Sequence, residues 1–202
     1  MRRTTLRTLP LALLSLLLPA CAWLQGEPAP APPGIDAAGL ELPRVVGPYV
    51  VALVQYGGDP TQGAFVRYLP SDSLSPLPRI DVVVYPTDGS VLPREVALSH
   101  DAMLYTDETS PQIDDTFLLA EGRFPIHARA DTAWRAAYYL TIQDVPQRSL
   151  VYLHTTAGRF VKARTSFTLH PGYDPDDRID DVVAALFAVA MPVRAETVDR
   201  RP

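Results

Sequence analysis

Cysteine, long apolar runs and positive charge are all scarce in this chain of 202 residues. The single cysteine, Cys21, excludes an intramolecular disulfide framework and a zinc site built from several thiolates. The longest apolar run spans about a dozen residues, whereas a helix that crosses a bilayer needs about 20, so a multi-span membrane protein is excluded. With 47% hydrophobic residues, the chain still has enough apolar material for one packed domain.

Basic residues are outnumbered, with 18 lysines and arginines against 23 aspartates and glutamates. Arg2, Arg3 and Arg7 lie in a segment that contains no acid, and its removal leaves 15 basic and 23 acidic residues. Such an acidic protein lacks the positive face that binding to a phosphate backbone requires. We therefore expect no nucleic-acid partner.

The N-terminal 20 residues have the pattern of a secretory signal peptide. Three arginines precede a leucine- and alanine-rich run over residues 9–20 that ends in small residues. Because this run is too short to cross a bilayer, we expect a removable signal over residues 1–20 and not a transmembrane anchor.

The end of that run, Leu18-Pro19-Ala20-Cys21, resembles the lipobox of bacterial lipoproteins. The resemblance implies cleavage before Cys21, diacylation of its thiol and acylation of the new amino group, with chains such as palmitate. Several acyl chains, at about 0.8 kcal/mol per buried methylene, hold a protein durably on a membrane. The alternative is an ordinary secreted protein with a cysteine near its cleavage site.

The residues after Cys21 indicate which of the two bacterial membranes such a lipoprotein would reach. In lipoproteins of double-membraned bacteria an aspartate after the cysteine favours the inner membrane, and Ala22 and Trp23 occupy these positions here. The resemblance therefore implies the outer membrane, with the domain facing the periplasm in preference to the cell surface. The export route stays open, since Arg2-Arg3 resembles a twin-arginine motif whereas the leucine-rich core suits general secretion.

We divide the remaining chain into a tether over residues 21–44, one domain over 45–191 and a tail over 192–202. The tether is rich in proline and alanine, a composition that favours extended polyproline II. Alternating patterns predict strands over residues 49–56, 64–69, 80–85, 134–142, 150–155 and 160–169, and leave 117–128 open between strand and loop. The run Val82-Val83-Val84 predicts a central strand covered on both faces.

Two helices complete the pattern. One begins near Pro93 and has three or four turns, and the other has Asp174 as N-cap, Pro175 in its first turn and an apolar stripe over residues 179–190. Because hairpins dominate over βαβ units, the sequence predicts an α+β sandwich, an antiparallel β-sheet with flanking α-helices.

Three stretches carry a resemblance to a known fold: Tyr56-Gly-Gly-Asp-Pro-Thr-Gln-Gly-Ala-Phe-Val-Arg-Tyr68, Asp81-Val-Val-Val-Tyr-Pro86, and Ser149-Leu-Val-Tyr-Leu-His-Thr155 with Phe160-Val-Lys-Ala-Arg164. Their succession resembles bacterial envelope proteins of uncharacterised function and is similar in layout to the Mog1/PsbP-like fold. The resemblance implies a binding or assembly role in preference to catalysis.

One group of side chains is the best candidate for a ligand site. We predict that they share a sheet face and form a basic and aromatic patch for a carboxylate or phosphate of an envelope glycan or lipid. The alternative is an ordinary solvent face, with long side chains lying over aromatics. The six residues are Tyr152, His154, Lys162, Arg164, Arg135 and Tyr139.

No motif indicates catalysis, a metal or a cofactor. Ser99, His100 and Asp101 are neighbours on a predicted helix, where side chains point about 100° apart and cannot form a relay with one another. The four histidines lack metal-ligand spacing, and the acidic group over residues 174–181 lacks the glycine of an EF-hand loop. The sequence thus favours a lipid-anchored envelope binding module. The alternative is an envelope hydrolase whose catalytic residues meet only in three dimensions.

Overall fold

The computed structural model describes residues 34–59, 61–104, 112–126 and 132–192, with the side chains of 191–192 left aside. The predicted signal peptide, Cys21, most of the predicted tether and the tail beyond Pro192 lie outside the described residues, as does His127. No helix in the described part of the chain is long and apolar enough to span a bilayer.

Eleven strands and two helices make up the described structure. The strands are β1 (Ile35–Ala37), β2 (Leu40–Leu42), β3 (Val45–Val46), β4 (Tyr49–Tyr56), β5 (Ala64–Pro70), β6 (Ile80–Pro86), β7 (Ile113–Pro125), β8 (Thr132–Ile142), β9 (Val145–Thr156), β10 (Arg159–Thr168) and β11 (Met191–Pro192). The helices are α1 (Leu92–Leu104) and α2 (Asp176–Val189).

Eight strands form one large sheet in the order β3-β4-β5-β6-β10-β9-β8-β7, and every neighbouring pair is antiparallel. The hairpin between β9 and β10 turns through Ala157 and Gly158, both with positive φ, which suits a two-residue turn. With helices packed against this sheet, the predicted α+β class is confirmed.

The face of the large sheet that packs against α2, here the α2 face, carries the main core. Ile179, Val183 and Phe187 of α2 are fully buried in one apolar cluster with Val66 and Tyr68 of β5. Burial of each such side chain contributes about 1.5–3 kcal/mol, so this helix is a principal source of stability.

The opposite face, here the α1 face, is covered only in part. Met103 of α1 packs with Trp134, Tyr138 and Leu153 of β8 and β9 in a second, smaller cluster. On β6, in contrast, Val83 stays 37% exposed. The predicted burial of this strand on both faces is wrong, because α1 packs mainly over β7 and β9, meets the end of β6 at Tyr85 and leaves Val83 uncovered.

The predicted tether also ends too late in the sequence. Residues 35–42 form the β1–β2 hairpin, whose turn at Ala38 and Gly39 has positive φ at both residues. The alternating residues Ile35, Ala37, Leu40 and Leu42 are buried in the main core. The tether boundary at residue 44 is therefore corrected, since this alternation buries an apolar face that a solvated tether would leave exposed.

The start of α2 lies two residues beyond the predicted N-cap. The helix runs from Asp176, and its first hydrogen bond joins the Ile179 N–H to the Pro175 carbonyl, so Pro175 and not Asp174 is the capping residue. Asp174 nevertheless supplies the expected chemistry, because its Oδ1 accepts a hydrogen bond from the Asp176 N–H at 3.1 Å.

Candidate functional site

The six side chains of the predicted patch do not share one face. The register of the β9–β10 hairpin pairs Tyr152 with Ala163 and His154 with Val161, which places Tyr152 and His154 on the α2 face. Lys162 pairs with Leu153, a member of the α1-face cluster. The predicted common face is therefore wrong.

Four of the six residues lie on the α2 face, namely Tyr152, His154, Arg135 and Tyr139. Arg135 pairs with Tyr152 across β8 and β9, and Tyr139 pairs with Arg148. His154 is buried and stacks on Phe187 at 5.4 Å. Most of these four residues thus lie beneath or beside α2.

Arg135 and Tyr152 form part of the attachment of α2 to the sheet. Arg135 Nε donates to Asp180 Oδ1 at 2.9 Å, and its Nη2 donates to Asp176 Oδ2 at 3.0 Å. The Tyr152 hydroxyl donates to Asp180 Oδ1 at 2.5 Å, and burial together with this hydrogen bond raises the pKa of Tyr152. These hydrogen bonds hold α2 on the sheet and give Arg135 and Tyr152 a structural role.

Lys162 is also engaged within the protein, on the α1 face. Its Nζ donates to the Ser99 hydroxyl of α1 at 2.9 Å. Burial lowers the pKa of Lys162, and the negative charge of Glu95 acts in the opposite direction. Lys162 therefore joins α1 to the sheet.

Of the six residues, only Arg164 lines a polar crevice. This crevice opens on the part of the sheet that α1 does not cover. The pairing of β6 with β10 ends at Asp81 and Arg164, and beyond that point the two strands border a cavity of about 260 Å³. Arg79, Thr165 and Ser166 complete its lining. We call this cavity the arginine crevice.

Hydrogen bonds hold the polar side chains of the crevice in place. Ser149 Oγ accepts from Arg164 Nε at 3.3 Å and from the Ser166 hydroxyl at 2.9 Å, and it donates to the Thr165 carbonyl. The Thr165 hydroxyl donates to the Arg79 carbonyl at 2.7 Å. Toward the described residues, Arg164 thus uses one of its five N–H donors, its Nε.

Positive charge dominates the arginine crevice. Its carboxylate, Asp81, accepts two hydrogen bonds from Arg67, at 2.7 and 2.9 Å, and lies 3.4 Å from Arg79 Nε. Arg164 forms no ion pair with a described residue, and burial is the largest cause that lowers its pKa. The charge of Asp81 acts favourably on Arg164, and the charge of Arg79 acts unfavourably. An anion between Arg79 and Arg164 would relieve this repulsion.

Sequence reasoning missed Arg79, Ser149 and Ser166. Arg79 precedes β6 and belongs to no alternating pattern, so only the tertiary arrangement brings it beside Arg164. Ser149 and Ser166 are register partners in the hairpin. A two-residue turn at Ala157 and Gly158 dictates this pairing. The turn is therefore the sequence signal from which the meeting of Ser149 and Ser166 could have been predicted.

The adjacent residues Ser99, His100 and Asp101 form no relay. Ser99 is 1% exposed and bonded to Lys162, so its hydroxyl is closed to a substrate. His100 Nδ1 lies 2.8 Å from the Tyr138 hydroxyl, and its Nε2 lies 2.9 Å from Glu121 Oε2. The neighbours therefore point to different partners.

His100 links α1 to β7 and β8 through Glu121 and Tyr138. Trp134 Nε1 also donates to Glu121 Oε2, at 3.1 Å, and the hydrogen bonds from His100 and Trp134 lower the pKa of Glu121. Burial raises the pKa of Tyr138 to about 12. Within the described ranges, no group of three histidine, cysteine or acidic side chains is arranged to hold a metal ion.

No protein-family model matches the sequence, and no curated protein matches it. The chain is similar to the solution structure of the cyanobacterial PsbP protein CyanoP from Synechocystis sp. PCC 6803, with a TM-score of 0.49 and 12% identity over 83% of this chain and 98% of that chain. It is also similar to a STAR-related lipid transfer protein from Xanthomonas axonopodis, with a TM-score of 0.37 and 12% identity over 71% of this chain and 96% of that one. At these values neither likeness indicates a ligand or an activity for this chain.

Proposed function

We propose that this protein is a lipid-anchored, non-catalytic binding module of the bacterial cell envelope, and that the arginine crevice binds a carboxylate or phosphate group of an envelope ligand. The observation that carries the binding proposal is the pair of arginines, Arg79 and Arg164, in one crevice of an otherwise acidic protein. The acid beside them, Asp81, is already held by Arg67.

The crevice is suited to binding more than to chemistry. Its lining offers guanidinium and hydroxyl donors, which recognise an anion by charge-assisted hydrogen bonds. The serine nearest to Arg164, Ser149, is fully buried and engaged with three partners. The hydrolase alternative has no support in the crevice, since a nucleophile needs both an adjacent base and access to substrate.

Anion binding is tested with inorganic phosphate and acetate, each titrated against the protein at constant ionic strength and followed by amide shifts in two-dimensional NMR. We expect saturable shifts in residues around Arg164 with at least one anion. Arg164→Gln should weaken this binding at least tenfold, because it removes one of the two guanidinium groups that line the crevice. Arg178→Gln, at an exposed position on α2, is the matched control and should leave binding unchanged.

Two results would refute the crevice proposal. One is the absence of saturation with both anions, and the other is equal weakening by Arg164→Gln and Arg178→Gln. The second result would mean that only the overall charge of the protein matters.

The anchor proposal depends on Cys21 and has a separate test. In a double-membraned bacterial host, we expect wild-type protein to carry acyl mass on Cys21 and to sediment with outer membranes, whereas Cys21→Ser should lack the acyl mass. Ala22→Ser is the matched control, because it adds a hydroxyl one residue away and keeps the thiol. Wild-type protein that is soluble and unacylated would overturn the anchor proposal and leave the binding proposal standing.

A further inference from the structure

A second cavity lies at the N-terminal end of α1, on the other side of the helix from the open part of the sheet. It has a volume of about 530 Å³ and is formed by Leu92, Pro93 and Val96 of α1 with Ala133 and Trp134 of β8. Cavities of 300–1,000 Å³ accommodate small organic ligands. The residues of the predicted patch take no part in it.

The surface of this cavity is mainly apolar. Leu92 and Val96 are half-buried and belong to the periphery of the α1-face cluster. The polar atom of Trp134 is already satisfied, because its Nε1 donates to Glu121 Oε2. The indole therefore offers the cavity its apolar surface, which favours a hydrocarbon occupant.

One cation, Arg123 of β7, also lines the cavity. Arg123 is exposed, lies opposite Trp134 in the β7–β8 register and forms no ion pair with any described residue. Its near neighbour on the same strand face, Glu121, is committed to His100 and Trp134. The guanidinium is thus the charged group at the cavity that is available to a ligand.

From this arrangement we infer a second binding site, specific for a single-chain anionic amphiphile. Its hydrocarbon chain occupies the cavity between α1 and Trp134, and its carboxylate pairs with Arg123. Charge complementarity selects the anionic head, since a neutral head of equal chain length would leave Arg123 unpaired. This site is independent of the arginine crevice, which has a polar lining.

Trp134 provides the readout. The chain has two tryptophans, Trp23 and Trp134, so Trp23→Phe leaves the cavity indole as the sole tryptophan of the full mature protein. Decanoate and decanol, both below their aggregation limits, are titrated while Trp134 emission is recorded. We expect saturable changes with decanoate and about three- to fivefold weaker binding of decanol, because Arg123 is exposed and an ion pair at an exposed side chain adds only a few-fold to affinity.

Three variants in this background locate the ligand. Arg123→Gln should reduce decanoate affinity to that of decanol, and Val96→Phe, which fills the cavity, should weaken both ligands. Arg164→Gln should leave decanoate affinity unchanged, which separates this site from the arginine crevice. Circular dichroism of each variant confirms that the fold is retained.

Three outcomes would overturn the inference. They are no saturable change with decanoate, equal affinities for decanoate and decanol, and decanoate binding that survives both Arg123→Gln and Val96→Phe. Loss of decanoate binding in Arg164→Gln but not in Arg123→Gln would assign the carboxylate to the crevice instead.

Discussion

Arg135 stands between two carboxylates of α2, Asp176 and Asp180, and all three side chains are mostly shielded from solvent. Replacing Arg135 by methionine leaves Asp180 without its cation and leaves Asp176 paired with Arg148 alone. We expect a loss of about 2 kcal/mol in the free energy of unfolding at pH 7, less than for fully buried pairs. The loss should shrink at low pH, because burial raises the pKa of Asp176 and the protonated Asp176 no longer repels Asp180.

Urea unfolding at several pH values measures this loss. Tyr152→Phe is the matched control, because it removes one hydrogen bond to Asp180 and leaves the charges intact, at a cost of about 1 kcal/mol. A pH-independent loss in Arg135→Met would contradict the electrostatic interpretation and indicate lost packing.

For Lys162, unlike Arg135, we expect the cost of burying the charge to exceed the gain from its contacts. Its ammonium is desolvated and, among the described residues, hydrogen-bonded only to a hydroxyl. Lys162→Met keeps the apolar stem and removes the charge, so we expect a gain of about 1 kcal/mol at pH 7. Burial lowers the pKa of Lys162 in the folded state, so the unfolded chain holds its proton to higher pH. The gain should therefore disappear as the pH rises past the unfolded value of about 10.4.

Chemical denaturation at pH 7 and pH 10.5 tests this expectation. Lys162→Ala serves as the comparison, since it loses the packed stem and should not stabilise the protein. Destabilisation by Lys162→Met would show that the hydrogen bond to Ser99 outweighs the desolvation of the ammonium.

At the scale of elements, the start of α2 concentrates negative charge near the positive end of the helix dipole. Asp174 accepts the Asp176 N–H, and this hydrogen bond is the largest cause that lowers the pKa of Asp174. Asp174→Ala should cost about 1 kcal/mol at pH 7. A lowered carboxyl pKa stabilises the fold fully above the unfolded value of about 3.9, so the cost should decline below that pH and be lost as the pH falls through the lower pKa of the folded state.

Thermal unfolding at pH 7 and pH 3 compares the wild type with two variants. Asp174→Asn keeps a side-chain acceptor and loses the charge, so its cost should be smaller than that of Asp174→Ala. Equal costs for the two variants would mean that charge, and not the hydrogen bond, is the main contribution.

Element types were more predictable from sequence than the faces on which side chains lie. Alternation alone predicts β10, whereas the position of β9 relative to β10 depends on how many residues form the turn. A two-residue turn at Ala157-Gly158 pairs even-numbered residues of β9 with odd-numbered residues of β10. Lys162 and Arg164 therefore face away from Tyr152 and His154, and only Arg164 lines the arginine crevice.

The remaining parts of both sites depend on contacts between residues distant in sequence. Arg79 and Arg164 are 85 positions apart and meet because β6 and β10 are neighbours in the sheet. The apolar cavity likewise joins α1 to β7 and β8. No local pattern of charge or hydrophobicity predicts that these residues lie close together, because strand order depends on the packing of the whole core.

At the scale of the whole molecule, the small sheet β1-β2-β11 joins the two ends of the described chain. β11 pairs with Glu41 and Leu40 of β2, next to the buried core. A chain that ends at Ala190 should be about 1–2 kcal/mol less stable than one that ends at Pro192, because it loses this pairing. Denaturation of the two truncated chains gives the difference directly, and equal stabilities would show that β11 contributes nothing.

The same pairing sets an order of events during folding. Glu41 and Met191 are about 150 residues apart, and closing so long a loop carries an entropic cost that grows with its length. Contacts of such high sequence separation form slowly compared with the local hairpins of the large sheet. A chain synthesised from its N terminus therefore leaves one edge of β2 unpaired until β11 has been made, after every strand of the large sheet.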